Sequence, residues 1–352
     1  MPLSSNLFTK FLVTTLLTSS FGLAETARAA DYKVDCTPLV STEMVKVGAF
    51  PGLSMATHPA AQGLGMFAKE NVTVDTIPMT GLAEAVSLLA KGEIDVAVAA
   101  VTGAFLSAQA QKLDVRFVIS QGQENLDKPA SGFYVRPELL DNGTVKTMAD
   151  LRGRKVALFG PTGSSGFYLS LILKQGNLGL SDVQLAPMQY ADMVGAMRNG
   201  AIDAAIISAP FNTLVEQDKS GRRFGDSEVL ARLPITAIAF GPNLLQNRPQ
   251  VACAYVRASL RAAREALKAN YNEDQRVVAA LARETGNTEA IVHATPSYYY
   301  DPDLAFKDSV LEDSQKFYIA NKMLRLAQPM PSDQILAEKL RLAAIKSLEE
   351  SK

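Results

Sequence analysis

The hexapeptide Gly92-Glu93-Ile94-Asp95-Val96-Ala97 recurs 108 residues later as Gly200-Ala201-Ile202-Asp203-Ala204-Ala205. Two further markers recur at an offset of 109: Lys46-Val47-Gly48-Ala49-Phe50 resembles Lys155-Val156-Ala157-Leu158-Phe159, and Pro78-Met79 returns as Pro187-Met188. A nearly constant offset in three separate markers is hard to obtain by chance. The chain is therefore predicted to contain two similar units of about 100 residues each.

Each unit alternates short apolar runs with segments of helical periodicity. In the first unit, the pattern predicts strands at Val45–Phe50, Val72–Pro78 and Ile94–Ala99, separated by helices at Ala56–Lys69 and Leu82–Lys91. The second unit repeats the pattern, with strands at Lys155–Phe159, Val183–Gln189 and Ile202–Ile207 and helices at Ser165–Gln175 and Ala191–Arg198. Continuous apolar strands separated by helices are typical of a parallel sheet that is covered on both faces. We expect an α/β fold with two doubly wound, mostly parallel lobes.

Two extended segments, Gly132–Arg136 and Thr236–Phe240, bracket the second unit. The chain is therefore predicted to leave the first lobe, build the second and return. This gives residues 30–132 to the first part of lobe 1, 133–240 to lobe 2, and 241–352 to the return to lobe 1 and a helical C-terminal region.

The first 29 residues have the pattern of a secretory signal peptide. Lys10 precedes the apolar stretch Phe11–Leu23, and Ala27-Arg28-Ala29 follows as a small-residue cleavage site. Because a membrane span needs about 20 apolar residues, this stretch is too short to be one. We expect cleavage near Ala29 and a periplasmic product. Export permits a disulfide, but the sequence leaves open whether Cys36 and Cys253 pair or remain separate thiols.

The composition excludes several functional classes. The chain has 352 residues, 47% of them hydrophobic, and a formal net charge of -1. Nearly balanced charge argues against a nucleic-acid partner, which would require clustered Lys and Arg. With two Cys and two His, we expect no metal site, and we also expect no cofactor. The chain has no Trp, so an aromatic ligand contact must use Tyr or Phe.

The candidate site follows from the architecture. Open parallel sheets bind ligands beyond the carboxyl ends of their strands, and two such lobes place both sets of strand ends on one cleft that a hinge can close. The segments after the predicted strands are rich in Gly, Ser and Thr and contain no Lys or Arg. Helix N-termini in such segments present N–H groups to a small anion or polar molecule. Single residues here could equally be ordinary helix caps, but for 162–165, four small residues in a row, we favour ligand contact.

The chain resembles the periplasmic solute-binding proteins of ABC importers, in the nitrate, taurine and aliphatic-sulfonate group that is related to binding proteins for thiamine pyrimidine precursors. The segments that carry the resemblance are Gly81 and Ala85 leading to Gly92–Asp95, Leu151–Ala157, Gly200–Ala204 followed by Pro210, and Asn247–Pro249. The resemblance implies a type II periplasmic binding fold. It also implies a small-molecule solute, membrane permease and ATPase subunits as partners, and a monomer.

By position, the resemblance implies ligand contacts at Ser54, Gly81, Thr102, Thr162, Ser164, Ser165 and the segment ending at Pro210. Many members of the group carry a Trp before that proline, where this chain has Ile207-Ser208-Ala209. Tyr190 and the run Tyr298-Tyr299-Tyr300 are candidate replacements as stacking faces, although for the run we favour a surface loop before Asp301-Pro302. The full predicted set of ligand-binding residues is Ser54, His58, Gly81, Thr102, Thr162, Gly163, Ser164, Ser165, Tyr190 and Ser208.

An enzyme is the main alternative class. The segment Gly52–Ala56 only partly resembles a nucleophile elbow, and Gly160–Ser165 lacks the Gly-Lys-Ser/Thr ending of a phosphate loop. His58 could reach a ligand in the cleft, or could serve only as a residue of the helix terminus. We therefore predict no catalytic residues and a binding protein for a sulfonate-like, taurine-like or nitrate solute. Binding of a thiamine pyrimidine precursor is the alternative, followed by a secreted enzyme on the same fold.

Overall fold

The computed structural model describes residues 32–50, 52–79, 82–125, 127–225 and 236–350. The predicted signal peptide and its cleavage site lie outside the described residues. The described strands are β1 (Glu43–Ala49), β2 (Val72–Pro78), β3 (Val96–Ala99), β4 (Arg116–Ser120), β5 (Ser131–Val135), β6 (Lys155–Leu158), β7 (Gln184–Pro187), β8 (Ala204–Ser208), β9 (Arg222–Arg223) and β10 (Ala237–Phe240).

The helices lie between and after these strands. They are α1 (Thr57–Gly63), α2 (Met66–Lys69), α3 (Leu82–Lys91), α4 (Gly103–Ala110), α5 (Pro137–Asp141), α6 (Ser164–Lys174), α7 (Tyr190–Arg198), α8 (Phe211–Gln217), α9 (Pro249–Arg261), α10 (Gln275–Thr285), α11 (Glu289–Ala294), α12 (Asp308–Ala320), α13 (Ser332–Ile335) and α14 (Glu338–Glu350). The single helix expected at 56–69 is divided into α1 and α2, because Gly65 adopts the left-handed conformation, with φ 71°.

Two five-stranded sheets have the same topology. Their strand orders are β2-β1-β3-β10-β4 and β7-β6-β8-β5-β9. In each sheet four strands run in the same direction, and the strand at the fourth position, β10 or β5, enters from the other lobe and is antiparallel to both of its neighbours. The expected two-lobed, mostly parallel α/β fold is confirmed. Residues 237–240, which the sequence-based division assigned to lobe 2, pair with β3 and β4 of the first sheet.

The repeated hexapeptide performs the same structural task in both lobes. Asp95 accepts a hydrogen bond from the backbone N–H of Lys46 at 2.9 Å, and Asp203 accepts the equivalent bond from Lys155 at 3.0 Å. The glycine three residues before each aspartate ends a helix at positive φ, 72° at Gly92 and 74° at Gly200. The recurring sequence therefore fixes the turn from a helix into the central strands.

An arginine completes each of these turns. Arg136 lies 3.0 Å from Asp203, and Arg248 lies 3.6 Å from Asp95. Each arginine directly precedes a proline that begins a helix, at α5 and α9 respectively. The dipeptide Arg-Pro thus marks a further pair of equivalent positions in the two lobes.

Both sheets are covered on two faces, as period-two alternation requires. In the first sheet, Val96 and Val98 pack towards α1, α2 and α9, while Ala97 packs towards α3 and α4. In the second sheet, Phe133 and Val135 belong to the core beneath α6, and Tyr134 faces α7 and α8.

The region after β10 is helical and packs on the first sheet, with α12 also reaching α6 of the second lobe. Cys36 and Cys253 form a disulfide, so the segment before β1 is joined to α9 across 217 residues of sequence. Beside it, the buried Arg257 donates to Glu70 at 2.7 Å. The sequence had left the disulfide open, because pairing over such a distance depends on the tertiary fold.

Candidate functional site

The two lobes meet at a hinge formed by residues 121–125 and the start of β10. The N–H of Gln121 donates to the carbonyl of Thr236 at 3.0 Å. Gly122 N–H and the Thr236 hydroxyl both donate to the carbonyl of Ser54, at 3.0 and 2.9 Å. A Cβ at Gly122 would lie 2.8 Å from that carbonyl oxygen, so this close approach requires glycine. Ser54, a predicted ligand contact, thus holds the hinge through its backbone.

The segment 162–165 forms the start of α6. Gly163 is the N-cap, Ser164 is the first helical residue, and Thr162 is exposed. The hydroxyl of Ser165 accepts from the N–H of Gly160 and donates to its carbonyl, at 3.1 and 2.9 Å. Ser165 therefore stabilises its own loop, which leaves Ser164 and the first backbone N–H groups of α6 as the ligand-facing candidates.

Ser164 lies at the contact between the lobes. Val101 and Ser314 from the first lobe and Tyr168 from the second surround, together with Ser164, a void of about 10 Å³. Such a volume holds about one water molecule, so a solute reaches this position only when the lobes separate. The ring centroids of Phe167 and Phe317 are 5.4 Å apart across the same contact.

Thr102 caps a helix, which was the alternative to ligand contact for the residues of these loops. It is the N-cap of α4, is 3% exposed, and its hydroxyl accepts from the N–H of Phe105 at 3.3 Å. Gly81 lies outside the described residues.

Tyr190 and Ser208 come together at the base of the cleft. The two hydroxyls are 3.5 Å apart, and Ser208 Oγ lies 2.9 Å from Ser131 Oγ on the neighbouring strand. The Tyr190 ring stacks on Phe159, with centroids 5.2 Å apart. The Tyr190 hydroxyl therefore contacts Ser208 while its ring packs within the second lobe.

Glu124 is the acidic residue of this region, and the sequence analysis missed it. Its side chain is buried, and Oε2 accepts from the N–H of Ser131 at 3.0 Å. Among the described residues, Oε1 has no hydrogen-bond partner, and neither does the buried Tyr298 hydroxyl. We call Glu124, Ser131, Tyr190, Ser208 and Tyr298 the hinge cluster.

Burial dominates the electrostatics of the hinge cluster. It raises the pKa of Glu124, against the lowering effects of the Ser131 hydroxyl, the Ser131 and Ala130 N–H groups, and the charge of Arg223. Burial also raises the pKa of Tyr298, with the nearby Glu124 charge as the next contribution. Arg223 does not neutralise Glu124 fully, because its guanidinium also pairs with Glu216 at 2.9 Å and donates to the carbonyl of Ser131.

The expectation that 298–300 form a surface loop is wrong for two of the three tyrosines. Tyr298 and Tyr300 are buried, and Tyr299 is exposed. Tyr300 donates to the carbonyl of Leu53 at 2.8 Å and accepts from the N–H of Ala56 at 2.9 Å, so it anchors the turn that carries Ser54. The Asp301-Pro302 pair suggested an exposed turn, but the preceding residues pair with Gln123 in the hinge.

His58 lies apart from the hinge cluster. It is buried in α1, with Nδ1 3.0 Å from the Tyr255 hydroxyl and Nε2 3.0 Å from the Thr76 hydroxyl. Burial lowers the pKa of His58 to about 4, so the ring is neutral at pH 7. It lines a cavity of about 390 Å³ whose walls come from the first lobe and the end of α10. The described residues that line this cavity all belong to the first lobe or to the region after β10.

The described residues contain neither a cluster of three metal-ligating side chains nor a helix of the length and apolarity needed to cross a membrane.

Residues 40–282 match the sequence model of the NMT1-like family, which is most of the chain. The chain belongs to the NMT1-like family. No curated protein matches this NMT1-like protein significantly.

Solved structures share the fold of this NMT1-like protein. The alkanesulfonate-binding protein SsuA from Xanthomonas axonopodis pv. citri, bound to MOPS, is 17% identical, with a TM-score of 0.65 over 85% of this chain and 100% of that one. The periplasmic nitrate-binding protein NrtA from Synechocystis PCC 6803 is 16% identical, with a TM-score of 0.70 over 88% and 89%. The desulfurization enzyme DSZB is 16% identical, with a TM-score of 0.61 over 88% and 100%. At these identities the likeness establishes the type II periplasmic binding fold.

Proposed function

We propose that this protein is the extracytoplasmic solute-binding component of an ABC importer. It captures a small polar or anionic organic solute between its lobes and delivers it to membrane permease and ATPase subunits. The observation that carries the proposal is the pair of topologically equivalent sheets, with strand ends that share one interlobe cleft and a hinge of crossing segments. The periplasmic sulfonate- and nitrate-binding proteins of the same fold support this role.

Within the cleft, we assign the anion-binding position to the start of α6. Its first N–H groups lack carbonyl partners within the helix, and the N-terminal end of a helix dipole favours negative charge. The Ser164 hydroxyl adds a donor at this position. Tyr190 and Ser208 line the opposite, hinge side of the cleft.

The proposal includes a periplasmic location after removal of residues 1–29, a monomeric state, and the lobe division given above with residues 237–240 placed in lobe 1. An enzyme on the same fold remains the second candidate, because DSZB shares the fold. Thiol nucleophile chemistry does not fit this chain in its oxidised form. Both of its two cysteines, Cys36 and Cys253, are held in the disulfide.

Isothermal titration calorimetry tests the proposal with taurine, alkanesulfonates, nitrate and hydroxymethylpyrimidine. Stoichiometric binding of one of these, accompanied by a smaller radius of gyration in solution scattering, is expected from lobe closure. Absence of binding by every probe, together with turnover of a substrate, would refute the binding role.

A further inference from the structure

The interlobe cleft contains a buried carboxyl group that the anion-binding assignment does not use. Glu124 is 3% exposed and lies in the hinge, where the chain passes from the first sheet to the second. Its neighbour Gln123 forms a bridge with Tyr299 through hydrogen bonds of 2.8 and 2.9 Å, which fixes the backbone on the first-lobe side. Ser131, which donates to Glu124, is the first residue of β5 in the second lobe. The carboxyl group is therefore held between the lobes.

One carboxylate oxygen is sufficient for the structural role of Glu124. Oε2 closes the segment 124–131 by accepting from the Ser131 N–H, whereas Oε1 has no partner among the described residues. A buried polar atom without a hydrogen bond costs free energy, and such atoms are rare in native proteins. In the same cluster, the buried Tyr298 hydroxyl is a second polar group for which the described residues supply no hydrogen-bond partner. The unpartnered Glu124 oxygen, at the boundary between the lobes, can therefore accept a further hydrogen bond.

The charge around Glu124 identifies the chemistry of that partner. Arg223 is the cation whose charge acts on Glu124, but it is also engaged by Glu216 and by the carbonyls of Ser131 and Pro129. Within the part of the chain that the structure describes, the other titratable groups that face the cluster are Tyr168, Tyr190, Tyr271 and Tyr298, and none of these supplies positive charge. A buried carboxyl group in such surroundings is stabilised in its ionised form by a cationic or N–H-donating group.

We propose that Glu124 is a ligand-binding residue that receives an amino or ammonium group of the solute through Oε1, at the hinge end of the cleft. The α6 N-terminus holds a polar or anionic group at the other end. The preferred solute thus carries a nitrogen donor as well as an acceptor group, and nitrate or a simple alkanesulfonate fills only half of the site. This inference rests on the proposed function, because it uses the interlobe cleft as the binding site.

Matched probes test the inference in the intact protein. Taurine and isethionate carry the same sulfonate on the same two-carbon chain, and differ in having an ammonium or a hydroxyl group. A second pair is 4-amino-5-hydroxymethyl-2-methylpyrimidine and its 4-hydroxy counterpart. Calorimetry should show the amino member of at least one pair binding about 30-fold or more tightly than its partner, as expected for a desolvated charge or donor pair.

Variants then assign the preference to Glu124. In Glu124→Gln, the affinity for the preferred amino probe should fall by about 30-fold or more, and the affinity for its hydroxyl partner should change little. The control is Glu138→Gln, at an exposed carboxylate on α5, which should leave both affinities unchanged. If Glu124→Gln does not fold, the wild-type comparison of each pair still tests the preference, and Tyr298→Phe tests the second orphaned group.

The outcomes separate the two proposals. Equal binding of amino and hydroxyl members, or an amino preference that survives in Glu124→Gln, overturns the inference while the binding function stands. Absence of binding by every probe in both pairs and in the earlier panel overturns the inference, and turnover of a substrate in addition overturns the proposed function.

Discussion

Protonation of His58 is expected to destabilise the fold in mildly acidic solution. The ring is 4% exposed, and both of its nitrogens already have hydroxyl partners, Tyr255 and Thr76. Burial lowers the pKa of His58 to about 4, whereas histidine in the unfolded chain titrates at about 6.5. Between these values the unfolded state binds more protons, so the stabilising effect is complete above pH 6.5 and is lost as the pH falls. The difference corresponds to about 3 kcal/mol in total, with about 2 kcal/mol lost by pH 5.

Urea unfolding followed by far-ultraviolet circular dichroism, at steps from pH 7.5 to pH 4, measures this effect. Other titrating groups are common to wild type and variants, so the decisive quantity is the difference between their pH profiles. The free energy of unfolding of wild type should fall by about 3 kcal/mol more than that of His58→Gln over this range. The control, His293→Gln, at an exposed histidine, should follow wild type. Parallel profiles for wild type and His58→Gln would refute the reasoning.

Three further predictions concern the disulfide, the α6 terminus and the lobe contact. Replacing Cys36 and Cys253 together by Ser should lower the free energy of unfolding by about 5 kcal/mol, because the disulfide closes a long loop and so reduces the entropy of the unfolded chain. A loss below about 1 kcal/mol in urea titration would contradict this prediction. Ser164→Ala should weaken solute binding by about 1 kcal/mol in calorimetry, whereas Ser165→Ala should instead lower the melting temperature; the reverse pattern would place the ligand on Ser165. Phe317→Ala removes an aromatic contact between the lobes that is worth about 1 kcal/mol. The radius of gyration of the ligand-free protein in solution scattering should therefore rise. An unchanged radius would show that this contact does not hold the lobes together.

The repeat made the architecture predictable from sequence. A glycine at positive φ, a buried isoleucine and an aspartate that accepts from a strand N–H are local requirements, and they recur wherever the same turn is built. Strand and helix positions followed from the periodicity of apolar residues, because this periodicity reflects which side of each element is buried. The break between α1 and α2 was missed, because it depends on the conformation of the single residue Gly65.

The candidate site was only partly predictable. Strand-end position selected Tyr190 and Ser208, whose hydroxyls lie 3.5 Å apart, but it could not distinguish a capping Thr102 or a loop-closing Ser165 from residues that contact a ligand. Glu124 stood in an unremarkable polar segment, and Tyr298 in an apparent surface loop. Each gained its role from contacts with residues far away in sequence.

The sequence by itself determined the two-unit α/β organisation, the return of the chain to its first lobe and the family, because these depend on local patterns that recur along the chain. The tertiary structure alone decided that Cys36 pairs with Cys253, that His58 is buried and neutral, and that Glu124 is enclosed, with one oxygen to which no described residue donates. How deeply a side chain is buried and which charges it pairs with depend on neighbouring residues that are far away in sequence. Only folding brings these neighbours together. The chemistry of the cleft therefore depends on packing, even though the cleft itself follows from the pattern.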